Sequence, residues 1–231
     1  MNIYAIGDLH LSGNPPQKPM EVFAACWHNH WQKIKTDWLN TVSVQDVVLI
    51  CGDISWGLNL PKALQDLQEI AKLPGQKVFI RGNHDFWWTG VEKMRAALDD
   101  SCYFLHNNFY MFGNIAICGS RGWTTPNIDG FSEQDGKIFL RELERTERSL
   151  DMAAESGYEK IILAMHYPAL YIDEIPTGFS NLCDDYKVTH ALYGHLHGEE
   201  SFRMGFHGQK NVTNYHLVSA DFLDFKLKKI I

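Results

Sequence analysis

The sequence predicts an α/β fold with a largely parallel sheet and helices on its faces. Three observations predict it. Short apolar runs, such as Val47–Cys51 and Lys77–Ile80, alternate with stretches of helical periodicity, giving a β-α-β-α-β rhythm. The runs are apolar throughout instead of alternating, as strands buried on both faces are. They also stop on small or polar residues, at Gly7-Asp8-Leu9-His10, Gly52-Asp53, Gly82-Asn83-His84-Asp85, Met165-His166 and Gly194-His195-Leu196-His197. In layered α/β folds, function collects at such strand ends.

Asn2 to Gly7 reads as a first buried strand, followed by the loop Gly13-Asn14-Pro15-Pro16. From about Met20 to Asn40, Phe23, Trp27, Trp31, Ile34 and Trp38 recur every three or four residues, which predicts one amphipathic helix with that stripe in the core. His28 and His30 lie beside the stripe and read as surface residues. Asp46–Cys51 is the second strand. Asn59 to Leu73 reads as a helix, with Pro61 in its first turn and Pro74-Gly75 stopping it. The third strand ends at Ile80, and a short helix runs from Val91 to Leu98.

The pattern then changes. Phe109–Phe112 and Ile115–Cys118 flank Gly113-Asn114, a hairpin signal. A loop extends to about Glu133, and its length predicts a functional role. A charged helix covers Gln134 to Ser156, with a solvated outer face. Further strands are expected at Lys160–Met165, His190–Tyr193, Asn214–Ser219 and Phe222–Leu227, with an irregular segment over 169–187.

At 231 residues, 45 % of them hydrophobic, the chain can bury one sizeable core, and no linker, repeat or low-complexity tract divides it, so residues 1–231 read as a single domain. The net charge of −7, with no Lys/Arg-rich run, lacks the footprint of a protein that grips a nucleic-acid backbone. No secretion signal opens the chain and no stretch reaches membrane-spanning length. Five cysteines without C-x-x-C spacing argue against a disulfide framework or thiolate zinc site, and for a reducing cytoplasm.

The strand ends carry Asp8, His10, Asp53, Asn83, His84, His166, His195 and His197. In extended backbone, residues two apart share a face, so Asp8/His10 and His195/His197 can each converge on one point. Carboxylate, amide and imidazole without thiolate suit Mn, Fe or Zn. One tetrahedral zinc needs about four of these groups, so the surplus points to two divalent ions.

Gly-Asp-x-His, Gly-Asp, Gly-Asn-His-Asp, His and Gly-His-x-His, in this order from Gly7 to His197, resemble the calcineurin-like metallophosphoesterases. The resemblance implies a four-layer α/β/β/α sandwich of two mixed sheets, with a dinuclear centre at one edge. It implies one metal held by Asp8, His10 and His197, a second by Asn83, His166 and His195, and Asp53 bridging them. It further implies a phosphoric ester hydrolase, phosphodiesterase or phosphatase, acting on a small-molecule phosphoester through a metal-bridging hydroxide. His84 would assist the leaving group, with Asp85 orienting it. Two divalent cations against the carboxylates of Asp8 and Asp53 would leave about +2 facing the phosphate. Two metals about 3.5–4 Å apart would also lower the pKa of the bridging water.

Arg121, Tyr167, Trp87 and Trp88 are candidates for the substrate rim, Arg121 first because a guanidinium matches phosphate geometry. A non-catalytic metal-binding scaffold on the same fold and a nuclease are the competing readings. The intact His84 counts against the first, the acidic balance against the second.

Overall fold

A computed structural model describes residues 1–231. The strands are β1 (Ile3–Ile6), β2 (Val47–Cys51), β3 (Gln76–Ile80), β4 (Cys102–Leu105), β5 (Phe109–Phe112), β6 (Ile115–Cys118), β7 (Lys160–Ala164), β8 (His190–Tyr193), β9 (Gly208–Lys210), β10 (Thr213–Leu217) and β11 (Lys228–Lys229). The α-helices are α1 (His30–Thr41), α2 (Leu60–Ala71), α3 (Val91–Arg95), α4 (Glu133–Ala154), α5 (Gly178–Asp185) and α6 (Gly198–Phe202). One sheet has the order β11-β1-β2-β3-β4, the other β5-β6-β7-β8-β10-β9. Both are mixed. β1 to β4 run parallel with β11 antiparallel, and β6-β7-β8-β10 run parallel with β5 and β9 antiparallel at the edges.

The continuous apolar strands are buried on both faces because each face meets a different layer. Ile3, Ala5, Leu49, Val78 and Ile80 of the first sheet pack on Ile117, Ile162, Ala164 and Leu192 of the second. The alternate residues, Ile6, Val48, Ile50 and Phe79, turn outward onto Ile34 and Trp38 of α1 and Leu67 and Ile70 of α2. On the far side, Cys118, Ile161 and Leu163 meet Phe139 and Leu150 of α4 and Phe179 of α5. The four-layer α/β/β/α sandwich follows from this period-two division of apolar side chains.

The structure departs from the element predictions in several places. The helix expected from Met20 begins only at His30. The preceding residues form two 3₁₀ turns, Met20–Val22 and Ala25–Trp27, and Asn29 adopts left-handed backbone (φ 53°) that breaks the run. Phe23 is consequently exposed, while Trp27, Ile34 and Trp38 are buried. His30 is buried, not on the surface, and its Nε2 donates to the Leu9 carbonyl at 2.9 Å, bracing the loop that carries Asp8 and His10. The 169–187 segment contains α5, with Thr177 and Ser180 forming a capping box. Strands β4 and β9 and the short helix α6 have no counterpart among the sequence expectations, and in place of a strand over Phe222–Leu227 the chain turns before the short β11.

Candidate metal centre

The parallel strands of both sheets point their C-terminal ends at one edge, and the loops leaving them are stitched together. Gly7 N–H donates to Val218 O (2.7 Å), Asp8 N–H to Gly52 O (2.9 Å), His10 N–H to Asp53 O (2.9 Å) and Gly194 N–H to His166 O (3.1 Å). Backbone freedom matters most at Gly82 and Gly194. A Cβ on Gly82 would overlap the Asp53 carboxylate, and one on Gly194 would overlap that of Asp8. Both carboxylates therefore lie directly against chain.

The structure brings the seven predicted ligands together in two sets. In the first, His10 Nε2 lies 3.2 Å from His197 Nε2, which lies 3.3 Å from Asp8 Oδ1. In the second, Asn83 Oδ1 lies 2.7 Å from His166 Nε2 and 3.0 Å from His195 Nδ1, and the two ring nitrogens are 3.3 Å apart. Asp53 Oδ2 stands between the sets, 4.0 Å from His10 Nε2 and 3.4 Å from His166 Nε2. Asp8, Asp53 and His166 also lie close enough together for one ion.

Hydrogen bonds on the far side of two rings settle their orientation. His166 Nδ1 donates to Cys51 O at 3.0 Å, and His197 Nδ1 to Asp221 Oδ1 at 2.9 Å. With each Nδ1 engaged outside, each Nε2 faces inward. The interior therefore gathers imidazole nitrogens, an amide oxygen and two buried carboxylates, with neighbouring atoms 2.7 to 4.0 Å apart. A set of acceptors this close fits cations.

Protons compete with cations for these inward nitrogens. Burial opposes charge on Asp8 and Asp53, but the imidazoles overrule it: His197 and then His166 lower Asp8, and His166 and then His10 lower Asp53. Burial works against protonating His166 and His197 too. Asp53 nevertheless raises His166 to about 9, and Asp8 with Asp221 raises His197 to about 10. His10 and His195, further from the carboxylates, are driven down by burial to about 4 and about 3.

His84 sits beside the first set. Its backbone N–H donates to Asp53 Oδ1 at 2.8 Å, and its ring is 4.6 Å from that of Trp56 and 6.0 Å from that of His10. Asp85 does not orient it, which corrects the expectation. The Asp85 carboxylate is fully buried and accepts from Gly82 N (2.7 Å), Ile54 N (2.8 Å), Ser55 N (3.2 Å) and Trp87 Nε1 (2.8 Å). It clamps the Gly82–Asp85 turn to the segment after Asp53. Burial and the Asp53 charge lift its pKa to about 6.

Trp87 and Trp88 are core residues, not rim, as their burial shows. Tyr167 is nearly buried with its ring 4.0 Å from that of His195. Arg121 lies over the Trp123 ring at 4.4 Å and pairs with Glu142 at 3.6 Å.

Two features escaped the sequence. Asp221 reads as a turn residue, and nothing in its neighbourhood signals that it meets His197. Trp56, three residues after Asp53, stacks on His10 at 5.0 Å, with Trp27 edge-on at 5.9 Å. A cavity of about 530 Å³ runs from His10 past Trp27 towards Asp66, beside the centre and not over it.

The structure is similar to a protein of unknown function from Aquifex aeolicus (14 % identity, TM-score 0.50, covering 99 % of this chain and 95 % of that one). It is also similar to the sulfate thiohydrolase SoxB of Thermus thermophilus (13 %, 0.49, 94 % and 51 %) and a purple acid phosphatase, PPD1, from yellow lupin (Lupinus luteus) seeds (14 %, 0.48, 94 % and 43 %). No curated protein matches. The family model for calcineurin-like phosphoesterases matches residues 1–199, and the last ligand candidate, His197, falls inside that span. With the motifs, the sandwich and that match in agreement, the chain belongs to the calcineurin-like phosphoesterase family.

Proposed function

We propose that this protein hydrolyses phosphoric esters of small molecules at a centre of two divalent cations, Mn, Fe or Zn, within one domain spanning residues 1–231. The observation that carries the reading is the convergence of two three-residue donor sets with Asp53 between them. Asp8, His10 and His197 would hold one cation, Asn83, His166 and His195 the other, and Asp53 both. When bound, such a pair supplies Lewis acidity and a water acidic enough to ionise near neutral pH.

The remaining work falls to the chain's own residues. Asp53 and Asp8, held ionised, balance part of the cationic charge and leave the centre attractive to a phosphoryl group. His84 donates a proton to the departing oxygen, and Trp56 limits the freedom of its ring and shields it from water. Tyr167 borders the second donor set through His195, and the Arg121 carbonyl accepts from the His166 backbone N–H. The five unpaired thiols and the absence of a helix long and apolar enough to cross a membrane support placing the chemistry in the cytoplasm.

Hydrolysis of a bis-aryl phosphodiester and the matching mono-aryl ester, by metal-stripped protein with and without Mn²⁺, tests the reading. Metal-dependent turnover of either ester is expected. His84→Ala should lose about 10²–10⁴-fold in rate while retaining both metals by elemental analysis. Two bound metals without turnover of either ester would favour the scaffold reading.

A further inference from the structure

Beside the centre lies a cluster of arginines, of which only Arg121 figures above, as a candidate for the substrate rim. Arg81 closes β3, Arg121 follows β6, and Arg141 and Arg145 sit one turn apart on α4. Three of them gather around one carboxylate, that of the buried Glu142, whose Oε1 is 2.7 Å from Arg145 Nη1, 3.6 Å from Arg121 Nη2 and 3.6 Å from Arg141 Nε. Arg81 makes no ion pair. The carboxylate acting most strongly on it, Asp85, already accepts from four donors.

Three guanidinium groups thus share one carboxylate and a fourth, that of Arg81, has none of its own, in a protein whose net charge is −7. Moreover, Nε of Arg81 and Nε of Arg121 are buried without a hydrogen-bond partner. Buried donors left unpaired are rare and costly, about 1–3 kcal/mol each. The positive field is felt by His106 on the next loop, which burial and then Arg145 push below its ordinary value.

The cluster is also tied to the centre through the backbone. Arg81 precedes Asn83 by two residues, a reach of about 7 Å. The Arg121 carbonyl accepts from the backbone N–H of His166 and of Tyr167, both at 3.1 Å. Its outer side is open, since Arg141 is 52 % and Arg145 29 % exposed.

We propose that Arg81, Arg121, Arg141 and Arg145 form an anion subsite that takes a second phosphate group of the substrate, while the first is held at the metal centre. Guanidinium forks match phosphate oxygens two at a time, and the unpaired Nε–H groups supply further donors. The substrate class becomes a compound with two phosphates, either adjacent or separated by about one sugar. The assignment rests on the hydrolase reading for the first phosphate.

The test is equilibrium binding to the metal-loaded protein of adenosine 5′-monophosphate, adenosine 5′-diphosphate and adenosine 3′,5′-bisphosphate, with aryl diester turnover measured on the same preparations. At least one two-phosphate probe should bind about ten-fold or more tighter than the monophosphate. Arg121→Gln and Arg145→Gln should each bring that ratio close to one. Should either fail to fold by circular dichroism, Arg141→Gln, at an exposed position, should reduce it. Equal binding of all three nucleotides by the wild type, or a preference that every folded variant keeps, would overturn the subsite. Turnover without a two-phosphate preference removes the subsite alone. A preference without turnover removes the hydrolase reading alone.

Discussion

Asp8 (φ 59°), His10 (φ 46°), Asp53 (φ 49°) and His195 (φ 71°) all occupy left-handed backbone that side-chain-bearing residues rarely adopt. Such conformations cost of order 1–3 kcal/mol each and persist only where the surroundings impose them. Here the hydrogen bonds between strand-end loops impose them, and the result turns four polar side chains into one point. Asp221 acts at the same scale. By accepting the His197 Nδ1 proton it fixes the ring with Nε2 inward. Asp221→Ala should weaken metal binding about 10–100-fold, measured by metal titration, with the far-ultraviolet circular dichroism unchanged. An unaltered affinity would show that His197 needs no such support.

At the scale of elements, the site depends on strands starting in register so that they end together. Asp46, just before β2, accepts from Asn2 N (2.6 Å) and from Ser43 N (2.9 Å) and Oγ (2.7 Å), locking the start of β2 to that of β1. Burial resists its ionisation, but the Asn2 and Ser43 hydrogen bonds outweigh that and bring its pKa down to about 2. A depressed acid stabilises the fold fully above its unfolded value, near 4, and loses that contribution as pH falls through about 2. Asp46→Asn should therefore lower the urea midpoint at pH 7, with the gap from wild type shrinking between pH 4 and 2. A gap that persists at the acid end would mean that lost geometry, not charge, is responsible. Lys77 does similar work at the other end of a helix. Its buried ammonium donates to Ala71 O, Leu73 O and Gly75 O, each at 2.9 Å, closing the C-terminus of α2 over β3.

For the whole molecule, the two donor sets draw on both sheets: Asp8, His10, Asp53 and Asn83 follow strands of one, His166, His195 and His197 strands of the other. Bound cations would staple the sheets at their shared edge, and a ligand at a thousand times its dissociation constant stabilises by about 4 kcal/mol. For a chain of this size that corresponds to a rise in Tm of about 10 °C. Chelation should reverse it, and a Tm indifferent to chelator would contradict the staple. Protons compete for the same nitrogens, because Asp53 and Asp8 hold His166 at about 9 and His197 at about 10 against the effect of burial. Metal content after dialysis should consequently fall as the pH is lowered.

Most of the parallel strands and the seven ligand candidates were legible in the sequence because they rest on local facts, and the family resemblance of the motifs implied the sandwich. Unbroken apolar runs mark strands covered on both faces, and a strand that ends on Gly-Asp or Gly-His announces a polar group at a fixed place. What needed the tertiary structure were the relations between distant segments that share no local signal. Asn29, in left-handed backbone, broke a helix that periodicity alone would have started ten residues earlier. His30 reads as a surface residue until Leu9 and Trp27 close over it. Asp85, adjacent to His84 in sequence, turns instead to Ile54, Ser55 and Trp87, since a buried carboxylate goes where its donors are. Asp221 beside His197, and Arg121 beside Glu142 of α4, exist only once the fold carries those residues to one edge. The chemistry available to this chain was written in its residue types and their spacing. Which groups support that chemistry was decided by packing, because hydrogen-bond partners are chosen by proximity in space.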